Sequence, residues 1–274
     1  MHDLTLSPMT IDHLPAALEL SRAEQWPHRL EDWEMLLSLS AGYVAISGNS
    51  VVGTALIADF GAQMSTLNMI IVSKSERGKG LGKKLMKAVM AGTEGRELRL
   101  IATPDGLPLY QKLGFVAEAE IDQCQGIMSA IPSVSHAATH ATAQDMPDIA
   151  GLDAQVTAAD RKRLLSWLAD NSEQAVIRGA DGAISGYASC RRFGRGWVIG
   201  PVLARDIEQA KDLICFLGAS KTGAFMRIDT ETALGLTPWL GSLGLLRVAS
   251  GTKMRKNACS APHATFGLFS QALG

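Results

Sequence analysis

The chain has 274 residues, 47% of them hydrophobic and 19% charged, with a formal net charge of −1. That length exceeds one ordinary domain and predicts two of roughly 130 residues, each able to bury a core of its own. The balanced charge excludes a global pull towards nucleic acid or membrane, so any anion site must be local, and four scattered cysteines (Cys124, Cys190, Cys215, Cys259) exclude a CxxC metal pattern or a dense disulfide framework.

The opening run "MHDLTLSPMTIDHLP" lacks the basic start and apolar core of a signal peptide, and no apolar stretch approaches the ~20 residues that span a bilayer. With the cysteine usage, this predicts a cytoplasmic protein. An opening helix is expected after "TIDHLP". In "EQWPHRLEDWEMLLSL", Trp33, Leu36 and Leu37 share a helical face and read as core, whereas Trp26 beside Pro27 belongs to the loop before it. "VVGTALIADF" alternates like a strand, and "LNMIIV", residues 67 to 72, is aliphatic like a central one.

Next come three glycines at alternate positions, Gly78, Gly80 and Gly82, and then the period changes. Leu81, Leu85, Ala88 and Val89 fall on one helical face, with Lys83, Lys84 and Lys87 on others, until Gly92 supplies a stop. Turn glycines permit positive φ, and the first unpaired amides of a helix carry partial positive charge. Together they suit a phosphate, and Arg77, Lys79, Lys83 and Lys74 suit a pyrophosphate with a further phosphate nearby. The P-loop pattern fails, because no glycine lies five residues before Gly82 and Lys84 replaces Ser or Thr. The dinucleotide pattern GxGxxG fails at Lys83. A solvated basic helix start stays open as the alternative.

The chain also repeats itself. "PLYQKLGFV" (108 to 116) aligns with "PWLGSLGLL" (238 to 246), Val72 with Val202, and "TIDHLP" with "TAQDMP". A duplicated α+β domain follows, with units 1–132 and 140–274 and a boundary in the Ser, Ala and Thr rich stretch 131–143. His136 and His140 in that stretch have helical metal spacing but no third ligand, so a solvated linker and no metal are expected.

Residues 77 to 82 read RxxGxG after a strand, and "PLYQKLGF" follows the strand "LRLIAT" about 28 residues later. Together these resemble the acyl-CoA motifs of the GNAT superfamily of N-acetyltransferases. The resemblance covers roughly residues 3 to 130, and the whole chain resembles bacterial two-domain members with a degenerate GNAT-like second half. It implies tandem GNAT folds with a mixed, mostly antiparallel sheet, splayed central strands and flanking helices. It also implies acetyl-CoA as co-substrate and direct transfer of acetyl to an amine in a ternary complex.

By this resemblance Met69, Ile70, Ile71 and Val72 splay from the neighbouring strand, bond the pantetheine amides and polarise the acetyl carbonyl. Arg77, Gly78, Lys79, Gly80, Leu81 and Gly82 wrap the pyrophosphate. Tyr110 protonates the departing thiolate; a phenol with an ordinary pKa of ~10 is protonated at neutral pH. Thr103 stands where the family often has Asn, and its hydroxyl could still bond the CoA chain. An amine acceptor needs a base, for which Asp59, Glu24 and a water chain are candidates, while His28 reads as surface.

In the second half the repeat carries Arg77 onto Ile207, Gly80 onto Ala210, Gly82 onto Asp212 and Tyr110 onto Leu240. One cofactor site is therefore expected. Arg191, Arg192, Arg195 and Trp197 read either as a seat for an acidic acceptor or as an exposed strand end, and Asp229 as a substrate contact or a strand terminus. The acceptor is expected to be a small amine rather than a protein lysine, with no nucleic acid or membrane partner, on a monomer or homodimer. A non-catalytic acyl-CoA sensor is the alternative function.

Overall fold

The computed structural model describes residues 4–129, 137–260 and 265–274. The first half runs β1 (Leu4–Pro8), α1 (Leu14–Ala23), α2 (Leu30–Leu39), β2 (Ala41–Ser47), β3 (Ser50–Phe60), β4 (Met64–Val72), α3 (Leu81–Val89), β5 (Glu97–Ala102), α4 (Leu107–Lys112) and β6 (Val116–Ile127). The second runs β7 (Ala138–His140), α5 (Met146–Thr157), α6 (Lys162–Asn171), β8 (Glu173–Arg178), β9 (Ile184–Phe193), β10 (Gly196–Leu203), α7 (Ile207–Gly218), β11 (Phe225–Glu231), α8 (Thr237–Ser242) and β12 (Leu246–Lys256). The order of helices and strands is the same twice, as the internal repeat predicts.

The repeated "T…P" signatures act locally in the same way. Thr10 donates its amide to the His13 ring and Thr142 donates its own to the Asp145 carboxylate, and a proline sits in the first turn of both α1 and α5.

The described strands form one 12-stranded sheet in the order β1-β2-β3-β4-β5-β12-β6-β11-β10-β9-β8-β7. It is antiparallel except at β4–β5 and β10–β11. The last strand of each half is exchanged: β12 lies between β5 and β6, and β6 lies between β12 and β11. Main-chain pairing does not distinguish which repeat supplies a strand, so the two halves share one sheet. Helices α1, α2, α5 and α6 cover a first face, over an apolar cluster that joins Trp33 and Leu36 to Ile149, Leu164 and Phe269. The expected pair of separate cores is thus merged on this side. On the second face α3 and α4 pack over one end of the sheet, and α7 and α8 over the other.

Towards the middle, the first face carries charge instead of aliphatic groups. Arg99 pairs with Glu97 at 2.5 Å, Arg255 with Glu118 at 2.8 Å, Lys253 with Glu231 at 2.7 Å and Arg227 with Asp229 at 2.8 Å. Buried charge is tolerable only when paired in this way. Among the described residues no helix is long and apolar enough to cross a membrane.

Candidate active site

Strand β4 makes the site by parting from β5. The two are paired only from Met64 to Thr66 and from Glu97 to Arg99, and beyond that point β4 has no strand partner on that side among the described residues. On its other side the register with β3 slips between Thr54 and Leu56, leaving an extra residue on β4. Met69 sits in this bulge with φ of 49°, a conformation that costs a non-glycine residue energy. It is held there by Thr54, whose buried hydroxyl donates to the Met69 carbonyl at 2.7 Å. Met69, Ile70, Ile71 and Val72 therefore do lie on a splayed strand. Thr54 was not signalled by the sequence, since a threonine inside a strand is ordinary.

The glycine turn follows. Gly78 and Gly80 have φ of 76° and 79°, and a side chain at either would meet nothing within 4 Å. The need for glycine here is conformational and the surrounding space is open. Gly80 is the N-cap of α3 and no side chain caps that helix. The amides of Leu81, Gly82 and Lys83 thus lack carbonyl partners in their own helix and face the opening. Gly82 serves a different purpose, because a Cβ there would lie 3.2 Å from Leu109 of α4 and 3.8 Å from Val72. Its absence lets α4, the start of α3 and the end of β4 converge.

The basic residues around this turn divide into two groups. Lys79 pairs with Glu76 at 3.1 Å and Arg77 with Glu24 at 2.6 Å, whereas Lys74 and Lys83 have no ion pair among the described residues. Arg77 also donates from Nε to the Val72 carbonyl at 3.2 Å, so its guanidinium ties the turn to the end of β4 and to the residue after α1.

Tyr110 lies on α4, 6% exposed, with its ring edge-on to Phe115. Its hydroxyl makes no hydrogen bond among the described residues. Burial pushes the phenol up to about 12. Gly106 makes room for the ring, since a Cβ there would stand 2.9 Å from it. Thr103 is used locally: its hydroxyl oxygen and its carbonyl both accept from the Gly106 amide, at 3.3 and 3.0 Å, which sets the turn into α4. An open turn with positive φ glycines, an uncapped helix start and an unpaired strand edge fit a CoA thioester, with Tyr110 beside them.

Other candidates are placed elsewhere. Asp59 accepts from Ser65 at 2.7 Å and pairs with Arg96, at the end of β3 remote from the bulge, and Glu24 is taken by Arg77. His28 is not at the surface. It packs among Trp26, Trp33 and Phe193, and burial, helped by the Arg227 charge, lowers it to about 4. Trp33 is fully buried, as expected, and Trp26 is half-buried over the same core. Arg191 is buried too, donating to the Gly200 and Phe269 carbonyls and stacking 3.7 Å from the Phe269 ring, whereas Arg192 and Arg195 are exposed. The four-residue cluster around Trp197 is thus split between interior and surface. Asp229 is engaged by Arg227. His136 lies outside the described residues, and His140 ends β7 against the Phe216 ring.

The second half repeats the splay but fills it. β10 and β11 pair only through Trp197 and Val198, and β10 then bulges before Val202. Into the gap comes the chain's own segment after β12. Val202 and Gly267 exchange backbone hydrogen bonds of 2.9 and 3.3 Å, and the Leu268 amide donates to the Asp229 carbonyl at 2.8 Å. A Cβ on Gly200 would stand 1.9 Å from the Leu268 carbonyl oxygen, so no further chain fits there. Where the first half has its glycine turn, α7 begins early and is capped by Asp206, whose carboxylate accepts from the Gln209 amide at 2.9 Å. A fixed anion already occupies that helix start.

Models of the acetyltransferase (GNAT) domain match residues 38–117 and 149–270. The chain is 30% identical over 227 residues to the uncharacterized N-acetyltransferase YitH of Bacillus subtilis (strain 168), covering 80% of this chain and 79% of that protein. It is 24% identical over 246 residues to the holothin acyltransferase of Pseudoalteromonas sp. (strain SANK 73390), covering 88% and 83%. In fold it is similar to an acetyltransferase structure from Pyrococcus horikoshii, with a TM-score of 0.83 at 17% identity over 99% of this chain and 96% of that one. It is also similar to a tandem GNAT protein of the clavulanic acid pathway, with a TM-score of 0.65 at 12% identity over 94% and 100%. Duplicated elements, a splayed β4 before a glycine turn and these likenesses converge: the chain belongs to the GNAT N-acetyltransferase family and is an acyltransferase with two GNAT domains in tandem.

Proposed function

We propose that the first half transfers acetyl from acetyl-CoA to the amine of a small molecule, and that the second half serves as scaffold and acceptor wall. The observation that carries this reading is the meeting, at Gly82, of an uncapped helix start, an unpaired strand edge and the helix that bears Tyr110. When bound, acetyl-CoA supplies an activated thioester carbonyl. The amides of Leu81, Gly82 and Lys83, with the Lys74 and Lys83 ammonium groups, suit its pyrophosphate. Main-chain groups of Met69 to Val72 suit the pantetheine, and an amide there is an oxyanion donor. Tyr110 holds a proton for the departing sulfur. Asp59 and Glu24 are both held in ion pairs, which leaves water to take the proton of the amine.

The filled splay of the second half supports one acetyl-CoA per chain. Four free cysteines suit the reducing cytoplasm. Calorimetry with acetyl-CoA, followed by thiol release with a panel of amines and mass detection of the products, tests the reading. One site per chain and acetylated product are expected. Binding without turnover on any amine would favour an acyl-CoA sensor, and absence of binding would sink both.

A further inference from the structure

A cavity of about 50 Å³ lies at the foot of the splay in the first half. Thr66 and Arg99 form the last paired rung of β4 and β5, and both line it, as do the next two residues of β5, Leu100 and Ile101. Leu100 belongs to the second-face cluster that holds Tyr110, whereas Met64, which also lines the cavity, belongs to the first-face cluster. The void therefore sits in the plane of the sheet, where the strands part. Interiors are close-packed, so a void at the apex of a cleft is an exception that asks for an occupant.

Its surface is mostly hydrocarbon. The charged groups around it are answered elsewhere: Arg99 by Glu97 at 2.5 Å, Arg161 by Asp153 at 2.5 Å and Lys253 by Glu231 at 2.7 Å. The Thr66 hydroxyl reaches the Met64 sulfur at 3.8 Å. Leu268 and Leu273 add to the wall. Leu268 belongs to the segment that fills the second splay, so the plug of one half is a wall of the other half's cavity. Apolar cavities stay dry and take apolar guests, and this volume has room for roughly three methylene-sized groups.

Position decides which guest. Counting up from the rung of Thr66 and Arg99, Ile101 is level with Asn68, one residue below Met69. The cavity thus runs from about 3 Å to about 10 Å below the strained residue at whose main chain the proposed transfer seats the thioester carbonyl. An acetyl group stops short of it, and a longer straight chain runs down the gap into it. We propose that the cavity is an acyl pocket, and that the coenzyme A thioester this chain binds best carries a straight saturated chain of butyryl to hexanoyl length. A chain that ends in a carboxylate is excluded, because the charges at the cavity are already paired and a further one would be buried without a partner.

This inference rests on the acyltransferase reading, and the experiment separates the two. Calorimetry measures the affinities of CoA and of acetyl-, butyryl-, hexanoyl-, decanoyl- and succinyl-CoA for wild type, Thr66→Leu and Leu268→Phe, with Tm from scanning calorimetry. Each buried methylene is worth about four-fold in affinity, so wild type is expected to bind butyryl- and hexanoyl-CoA about ten-fold or more tighter than acetyl-CoA. Decanoyl-CoA overruns the cavity and should fall back towards acetyl-CoA, and succinyl-CoA should gain nothing. The two substitutions fill the cavity from different segments; both should remove the gain for the longer chains and leave acetyl-CoA affinity within about two-fold of wild type. The inference is overturned if wild type binds acetyl- or succinyl-CoA as tightly as butyryl- and hexanoyl-CoA, or if affinity goes on rising to decanoyl-CoA. It is overturned equally if a filled variant that melts like wild type keeps the gain, and the wild-type series decides alone where a variant fails to fold. If neither CoA nor any thioester binds wild type, the acyltransferase reading itself falls.

Discussion

Tyr110 is positioned by packing rather than by hydrogen bonds. Phe115 meets its ring edge-on and Gly106 leaves it space, so its hydroxyl is uncommitted. Tyr110→Phe should therefore fold as wild type and bind CoA within about two-fold, while kcat falls by about 10²-fold, the lower end for a general acid. The pH dependence has a definite sign. The phenol donates only while protonated, and burial disfavours the phenolate, so the protonated range extends to about 12. A kcat profile should stay flat where an ordinary tyrosine would be lost near pH ~10. A fall of kcat at that pH in wild type, absent from Tyr110→Phe, would show that the phenol titrates as an ordinary tyrosine and contradict the raised pKa, whereas unchanged turnover in Tyr110→Phe would contradict its role as the acid. The glycine turn and the helix that carries Tyr110 were legible because motif spacing is local in sequence. The fates of Glu24 and Asp59 were not, because Arg77 and Arg96 reach them across the fold.

The two helix starts α3 and α7 differ in what they leave open. α3 begins after an αL glycine with no cap, and α7 begins after Asp206, which caps it. Asp206→Ala should cost about 1 kcal/mol of stability, as loss of an N-cap does, and leave acetyl-CoA affinity unchanged. Gly80→Ala should cost a similar ~1–2 kcal/mol from its positive φ and also weaken acetyl-CoA binding, because the turn that presents the amides must shift. Thermal denaturation and calorimetry on both variants separate the effects, and equal loss of affinity in the two would refute the asymmetry. Element order was readable from periodicity and turn residues, and "VVGTALIADF" lies wholly within β3. The exchange of β6 and β12 was not, since any strand with suitable alternation can pair with either edge, and register is settled only by the assembled sheet.

At the scale of the molecule, that exchange makes the halves mutually dependent, and Glu97 shows how the joint is locked. Glu97 is fully buried at the start of β5. It accepts from the Cys259 amide at 2.9 Å, the Ser260 amide at 3.1 Å, the Ser260 hydroxyl at 2.9 Å and Arg99 Nε at 2.5 Å. A first-half carboxylate thus holds the segment that leaves β12, on its way to the residues that fill the second splay. Burial by itself would raise its pKa, but the Cys259 amide, Arg99 and Ser260 outweigh burial and bring it from an ordinary 4.5 to about 2. The folded state therefore binds this proton less readily than the unfolded chain. Stabilisation is complete above pH 4.5 and is lost as pH falls towards 2, and a displacement of that size corresponds to about 3 kcal/mol. Glu97→Gln should melt lower than wild type at neutral pH, because the amide cannot replace an ionised acceptor of four donors. Between pH 4.5 and 2 the gap in Tm should close as wild type loses what the variant already lacks. Parallel declines across that range would show that Glu97 is not the lock, and that the joint depends on strand pairing alone.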